Sequence, residues 1–223
     1  MATEQERYIL FVRHGETDCN KERRVGGSTD IPLNDHGKKQ GELCAPALKQ
    51  IIADSELNIK IIYSSAQLRA FETALIIQKE LRIPIIATRD LREIDFGLCE
   101  KLAWEEEVKL LYPDVWKQYK KDRSKVVFPG GENMEKDVFP RVDKELKTIL
   151  KKEKKNDVLI VCHRGVIKVG ITLLCGFPPE AMNHFTGIGN SAIVPMKMEN
   201  GRWTLWLGWS PHLVDVEGYN IKS

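Results

Sequence analysis

No apolar run in this 223-residue chain approaches the roughly 20 residues that a membrane-crossing helix needs, so no helical membrane anchor is expected. Charge of one sign is not in excess either. Lys plus Arg total 34 against 32 for Asp plus Glu, a net charge of +2. A general nucleic-acid binder carries far more positive charge, so no nucleic-acid partner is expected, and affinity for anions has to come from local clusters. Cysteine is sparse. The five present (Cys19, Cys44, Cys99, Cys162 and Cys175) are scattered, odd in number and without a pairing motif, and they read as reduced thiols of a cytoplasmic protein. The opening Met-Ala-Thr-Glu-Gln-Glu-Arg lacks the basic and then apolar pattern of a secretory leader. There is no internal repeat and no low-complexity linker, so a single domain over residues 1–223 is expected. Histidines and carboxylates are not grouped at metal-ligand spacing: His36, His184 and His212 stand alone. Neither a metal nor another cofactor is therefore expected.

What is present is an ordinary globular composition, 42% hydrophobic and 30% charged, which rules out disorder as the default. Short apolar runs alternate with helical patterns. Tyr8 to Val12 is apolar on both faces, as a central parallel strand should be. Asn34 is placed to cap a helix running to Ile52, with a kink at Pro46. Ile59 to Tyr63 reads as a second strand, and Ser65 as the cap of a helix ending near Leu81. Pro84 to Ala87 is a third strand. Residues 101–121 look helical but are broken by Pro113, and Pro129-Gly130-Gly131 is a turn. Met134 to Lys152 forms an amphipathic helix. Asp157 to Cys162 is a fourth strand, followed by a helix from Gly165 to Leu174. Residues 191–197 and 202–208 form a hairpin around Glu199-Asn200-Gly201. The alternation predicts a three-layer α/β/α sandwich with a mostly parallel central sheet.

In such a sheet ligands bind outside the carboxyl ends of the strands, and the chemistry collects there. The first strand runs directly into Arg13-His14-Gly15-Glu16-Thr17 and the fourth into His163-Arg164-Gly165. The second leads through Ser64-Ser65 to a helix with Arg69 in its first turn. Arginine matches a phosphoryl group bidentately and keeps its charge. Imidazole is a nucleophile at neutral pH and can accept a phosphoryl group. Two histidines and two or three arginines on one edge are the parts of a phosphate pocket with a histidine nucleophile.

Arg13-His14-Gly15-Glu16-Thr17 with Asn20 resembles the RHG signature of the histidine phosphatase superfamily, which includes the cofactor-dependent phosphoglycerate mutases. Five further blocks follow in the family's order. Arg24 to Leu33, with Gly27 and Asp30, is the next. Tyr63-Ser64-Ser65 with Arg69-Ala70 and Thr73-Ala74 follows, then Leu91 to Gly97. Pro129-Gly130-Gly131-Glu132 with Arg141, and Val161-Cys162-His163, complete the set. The resemblance implies the phosphoglycerate mutase-like fold and a role for each matched residue. His14 would be the nucleophile that becomes phosphohistidine. Arg13, Arg69 and His163 would hold the phosphoryl oxygens, with Asn20 assisting, and Thr17, Gly26, Gly27 and Arg24 would border the substrate. Glu93 would be the proton donor to the leaving oxygen; Glu16 could tune the pocket or pair with a neighbouring arginine.

Three positions depart from the common pattern: Lys101 and Arg164 where glycine is frequent, and Gly26 where a polar side chain is frequent. They bear on substrate choice, and either Arg164, on the same helix as Lys168, or the Arg23-Arg24 pair is expected to engage a second anionic group, the alternative being that Arg164 faces solvent or pairs with a local carboxylate. A thiol phosphatase built on Cys162 is disfavoured because the sixth residue after it is Lys168, not arginine. The compact Pro-Gly-Gly-Glu stretch resembles the phosphatase branch more than the mutases, which carry a longer insertion. The resulting expectation is a metal-independent phosphomonoester hydrolase for a small phosphorylated metabolite. A cofactor-dependent mutase and a non-catalytic phospho-ligand binder are the alternatives. Oligomeric state, including a homodimer, is left open.

Overall fold

The computed structural model describes residues 6–206. The central sheet has the strand order β3-β2-β4-β1-β5-β6, with β1 Arg7–Arg13, β2 Ile59–Ser65, β3 Ile85–Thr88, β4 Asp157–Cys162, β5 Ile193–Glu199 and β6 Arg202–Leu205. The first four in this list are mutually parallel; β5 runs antiparallel to β1, and β6 antiparallel to β5. The helices are α1 Asp18–Lys21, α2 Asp35–Asp54, α3 Leu68–Leu81, α4 Lys109–Leu111, α5 Pro113–Lys121, α6 Phe139–Lys152 and α7 Arg164–Leu174.

Alternating side chains of the buried strands feed two cores, as the pleat requires. Leu10, Val12, Leu159 and Val161 pack with Leu48, Ala74 and Ile77 of α2 and α3 on one face. Ile9, Phe11, Ile160 and Cys162 pack with Val142, Leu146 and Val169 of α6 and α7 on the other. The three-layer expectation is thus met, and Cys162 is the last buried residue of its strand.

Several local expectations need correction. Ser65 does not cap α3: it ends β2, and its Oγ accepts the Gln67 N–H at 3.2 Å. The first helical N–H, that of Leu68, donates to Asp30 Oδ1 at 2.6 Å, so a loop nearly forty positions upstream supplies the acceptor. As expected, Asn34 caps α2 by accepting the Gly37 N–H at 2.8 Å, and Pro46 lies inside that helix, which runs on to Asp54. Residues 101–103 are not helical. Trp104–Val108 is wound as a π-helical turn before α4, and Pro113 opens α5, where its missing N–H costs nothing. The helix expected from Met134 likewise begins with a π turn, Met134–Val138. In the hairpin Asn200 and Gly201 both have positive φ, 52° and 74°, the geometry of a tight two-residue turn. Residues 207–208 of the expected second hairpin strand, and His212, lie outside the described residues.

The parallel register is what builds the site. Arg13 pairs with Cys162, so the residues that follow each of them emerge side by side at the same sheet edge.

Candidate active site

The His14 N–H donates to the Cys162 carbonyl at 3.0 Å, and the His14 and His163 rings lie 5.2 Å apart between centroids. His14 is 4% exposed and His163 0%. The His14 carbonyl is held from the far side by the Ser191 N–H at 3.2 Å and Asn190 Nδ2 at 3.1 Å. Its Nδ1 lies 2.6 Å from the Gly15 carbonyl. A carbonyl can only accept, so Nδ1 carries the hydrogen and Nε2 the lone pair. Burial, reinforced by Arg13 and Arg69, holds the His14 imidazole well below the usual histidine range. Burial, then Arg69 and His14, does the same to His163. Neither ring nitrogen of His163 has a hydrogen-bond partner. Both rings are therefore neutral near pH 7.

Arg13, 4% exposed, donates through Nη1 to the Ile188 carbonyl at 2.9 Å, while its buried Nε has no partner. Arg69 reaches the same cavity from α3. Its Nη2 donates to the Gly27 carbonyl at 2.7 Å and its Nη1 to the Thr29 carbonyl at 2.9 Å. Gly27 can present that carbonyl because its φ is +53°, and a Cβ there would run into the Glu100 carboxylate and the Phe96 ring. Thr17 and Asn20 form a reciprocal capping box on α1. Asn20 Oδ1 accepts both the Thr17 N–H at 3.2 Å and Asn190 Nδ2 at 3.0 Å.

Glu93 enters from the opposite side. Its Oε1 accepts the Ile94 N–H at 3.0 Å, and its Oε2 the Gly165 N–H at 3.2 Å, at the start of α7. A Cβ on Gly165 would collide with that carboxylate, so glycine is what lets the acid approach the helix end. Arg13, His14, Thr17, Asn20, Gly26, Gly27, Arg69, Glu93 and Arg164 all line one cavity of about 230 Å³. His163 is buried beside the His14 ring.

Two sequence expectations are qualified by the packing. Arg24 lies on the cavity rim, but its guanidinium is engaged with Glu107 at 2.8 Å, with Glu22 at 3.2 Å and with the Lys101 carbonyl at 2.8 Å. It is already neutralised, which leaves little charge for a substrate. Arg164 borders the cavity, yet its Nε donates to the Ile188 carbonyl at 3.2 Å, the same oxygen that anchors Arg13. It therefore also braces the phosphate-facing arginine. Glu16 accepts Asn34 Nδ2 at 2.9 Å and is not paired with an arginine among the described residues.

Sequence reading missed Gln67. Its Oε1 accepts the Glu93 N–H at 2.7 Å and lies 3.3 Å from Arg69 Nη2, while its Nε2 donates to the Gly27 carbonyl at 2.9 Å. Also missed were Trp104, Tyr119 and Arg123, cavity-lining residues of the segment between β3 and α6. Nothing in a helical pattern broken by Pro113 marks which face of that segment turns inward.

The model of the histidine phosphatase superfamily (branch 1) matches residues 9–208. The chain belongs to that superfamily. It is 36% identical over 199 residues to phosphoglycerate mutase-like protein 4 of Arabidopsis thaliana, covering 88% of this chain and 82% of that protein. It is 30% identical over 215 residues to the uncharacterized phosphatase PhoE of Bacillus subtilis, covering 96% and 95%. Among solved structures, Bacillus stearothermophilus YhfR superimposes with a TM-score of 0.77 at 26% identity, covering 89% of this chain and 94% of that one. Among the described residues of this superfamily member, no three His, Cys, Asp or Glu side chains are grouped to hold a metal ion, and no helix is long and apolar enough to cross a membrane. Membership and relatives together point to phosphatase- or mutase-type chemistry.

Proposed function

We propose that this protein is a metal-independent phosphomonoester hydrolase that works through a phosphohistidine on His14. The observation that carries this reading is the tautomer. With Nδ1–H spent on the Gly15 carbonyl, the lone pair is on Nε2 of a ring that lines the cavity together with Arg13 and Arg69. In the first step that lone pair attacks phosphorus, the P–O bond to the substrate breaks, and Glu93 gives its proton to the departing oxygen. Arg13, Arg69 and His163 stabilise the charge on the three equatorial oxygens, a task that needs positioned cations and donors and no covalent help. In the second step water attacks the phosphohistidine, its proton passes to Glu93, and the P–N bond breaks to release inorganic phosphate.

The substrate is a small metabolite, which suits a cavity of about 230 Å³, below the usual range for drug-sized ligands. The whole chain, residues 1–223, acts as one domain. Its place is the cytoplasm: all five cysteines are unpaired, the state that a reducing compartment maintains.

The mutase reading is favoured by one observation, the 36% identity to a phosphoglycerate mutase-like protein. One assay separates the two. Hydrolysis of p-nitrophenyl phosphate in EDTA is expected for the hydrolase, with loss of turnover and of acid-labile phosphate labelling in His14→Ala. Interconversion of 3-phosphoglycerate that depends on its bisphosphate, without hydrolysis, establishes the mutase. Phosphate release unchanged in His14→Ala refutes both, and binding without turnover leaves a phospho-ligand binder.

A further inference from the structure

Besides the phosphoryl-facing residues, the cavity has further cationic side chains that hydrolysis of a phosphomonoester does not call for. Lys168 is 8% exposed and lines the cavity from α7. Arg164 lies four positions earlier on the same helix, hence on the same face. Arg123 lines the cavity from the turn after α5, and its guanidinium lies 5.0 Å from the centre of the Tyr119 ring. Neither the Lys168 ammonium nor the Arg123 guanidinium has a hydrogen bond or ion pair with any described residue; the Lys168 carbonyl accepts Thr172 Oγ1. Arg123, Arg164 and Arg13 act on Lys168 against its charge and Glu93 in its favour, and both Glu93 oxygens already accept backbone N–H groups. Burial and these like charges pull the Lys168 ammonium down to about 8. A nearly buried ammonium beside two guanidinium groups is unfavourable unless an anion joins it. Arg13 and Arg69 serve the transferred phosphoryl group; this cluster sits on other elements and would serve another one.

We propose that Lys168 and Arg123, with Arg164 beside them, form a subsite for a second anionic group on the substrate, so that the preferred substrates are small phosphomonoesters bearing a further phosphate or carboxylate. This rests on the hydrolase reading only for what happens to the first phosphate. The binding claim stands apart from turnover. The second group stays on the product, because only the phosphoryl group facing His14 reaches the nucleophile.

Two matched pairs test the subsite. Glycerol 1-phosphate against 3-phosphoglycerate adds a carboxylate; fructose 6-phosphate against fructose 1,6-bisphosphate adds a phosphate. The quantity read is the ratio of kcat/KM within each pair, in the unaltered protein and in Lys168→Met and Arg123→Gln. Methionine keeps the length and apolar stem of the buried lysine, and Arg123, at the half-buried rim, provides a second variant that does not depend on core packing. The same ratio is measured for binding to His14→Ala by calorimetry, which needs no turnover. A preference of roughly tenfold or more for the second anion, the size of one charge-assisted contact, is expected in at least one pair. It should collapse toward unity in both variants. The pair that shows it names the anion as carboxylate or phosphate. No preference in either pair, or a preference that survives both substitutions, overturns the subsite. Failure of p-nitrophenyl phosphate hydrolysis by the unaltered protein, with the binding ratio intact, overturns the hydrolase reading instead.

Discussion

Replacing Glu93 by glutamine separates proton delivery from every other contribution of this side chain. A positioned general acid contributes about 10²–10⁴-fold, which is about 2.7–5.4 kcal/mol of barrier at 1.36 kcal/mol per decade. The structure adds a smaller and separable effect. Both Glu93 oxygens accept a backbone N–H, from Ile94 and from Gly165. Glutamine has one carbonyl oxygen, so its NH₂ must face one of those donors, at a cost of about 1–3 kcal/mol in local order or stability. That cost is the same for every substrate, whereas the loss of the acid is not. An alkoxide leaves poorly without a proton, and p-nitrophenolate leaves well without one. In single-turnover measurements, Glu93→Gln should slow phosphorylation of His14 by propyl phosphate by about 10²–10⁴-fold and by p-nitrophenyl phosphate far less. If Glu93 also activates water in the second step, the variant should release a burst of p-nitrophenolate and then turn over slowly as phosphohistidine accumulates. Equal slowing of the phosphorylation step on both substrates would refute the acid role and leave only the misplaced hydrogen bonds.

Four further outcomes follow from the same geometry. The free imidazole of His14 is held well below the usual histidine range, by burial first and by Arg13 and Arg69 next; protonation removes its lone pair, so the His14 ring, followed by NMR in the free protein, should titrate well below pH 6.5, and a titration centred there would contradict this. Lys168 is pulled down to about 8 by burial, Arg123 and Arg164, so the kcat/KM preference for a second anion should fall as pH rises through about 8, and should be flat with pH in Lys168→Met. Gln67 ties the Glu93 N–H and Arg69 to the Gly27 carbonyl; Gln67→Leu should lower kcat for alkyl phosphates more than for p-nitrophenyl phosphate, with Gln67→Glu restoring only the acceptor contacts, and an unchanged ratio would make Gln67 a purely structural residue. Gly165→Ala should displace the Glu93 carboxylate and the Ile94 Cδ1 methyl and reproduce the leaving-group pattern of Glu93→Gln with only a modest change in Tm, since both obstacles are the ends of side chains; a large fall in Tm with no change in that pattern would show that Gly165 serves the fold alone.

The family blocks and the strand ends were readable because they are local. An apolar run buried on both faces declares a central strand, and the residue directly after it must emerge at the sheet's edge. His14 and His163 were visible in this way, as was Arg69, one helical turn past β2. The Asn-Gly turn of the final hairpin was readable for the same reason, since two residues of positive φ are a property of the chain itself. The start of α3 was not. Ser65 has the right chemistry for a cap, but the acceptor used is Asp30, brought in by the loop after α1, and no local pattern records that approach.

The amino-acid sequence by itself determined the alternation of strands and helices, the family, and the side chains on the edge of the sheet. It did so because periodicity, turn chemistry and motif spacing act over a few residues. Tertiary structure decided how those side chains are used. Placing β4 next to β1 set the two imidazoles beside each other and buried both, and burial made them neutral. Folding Glu107 onto Arg24, 83 positions away, spent a charge that the sequence offered to substrate. Laying the segment of Tyr119 and Arg123 over the cavity brought an arginine to Lys168, which left these two cations with no counterion among the described residues. Charge is written into the chain, but solvation and pairing depend on the distances that only the packed fold imposes.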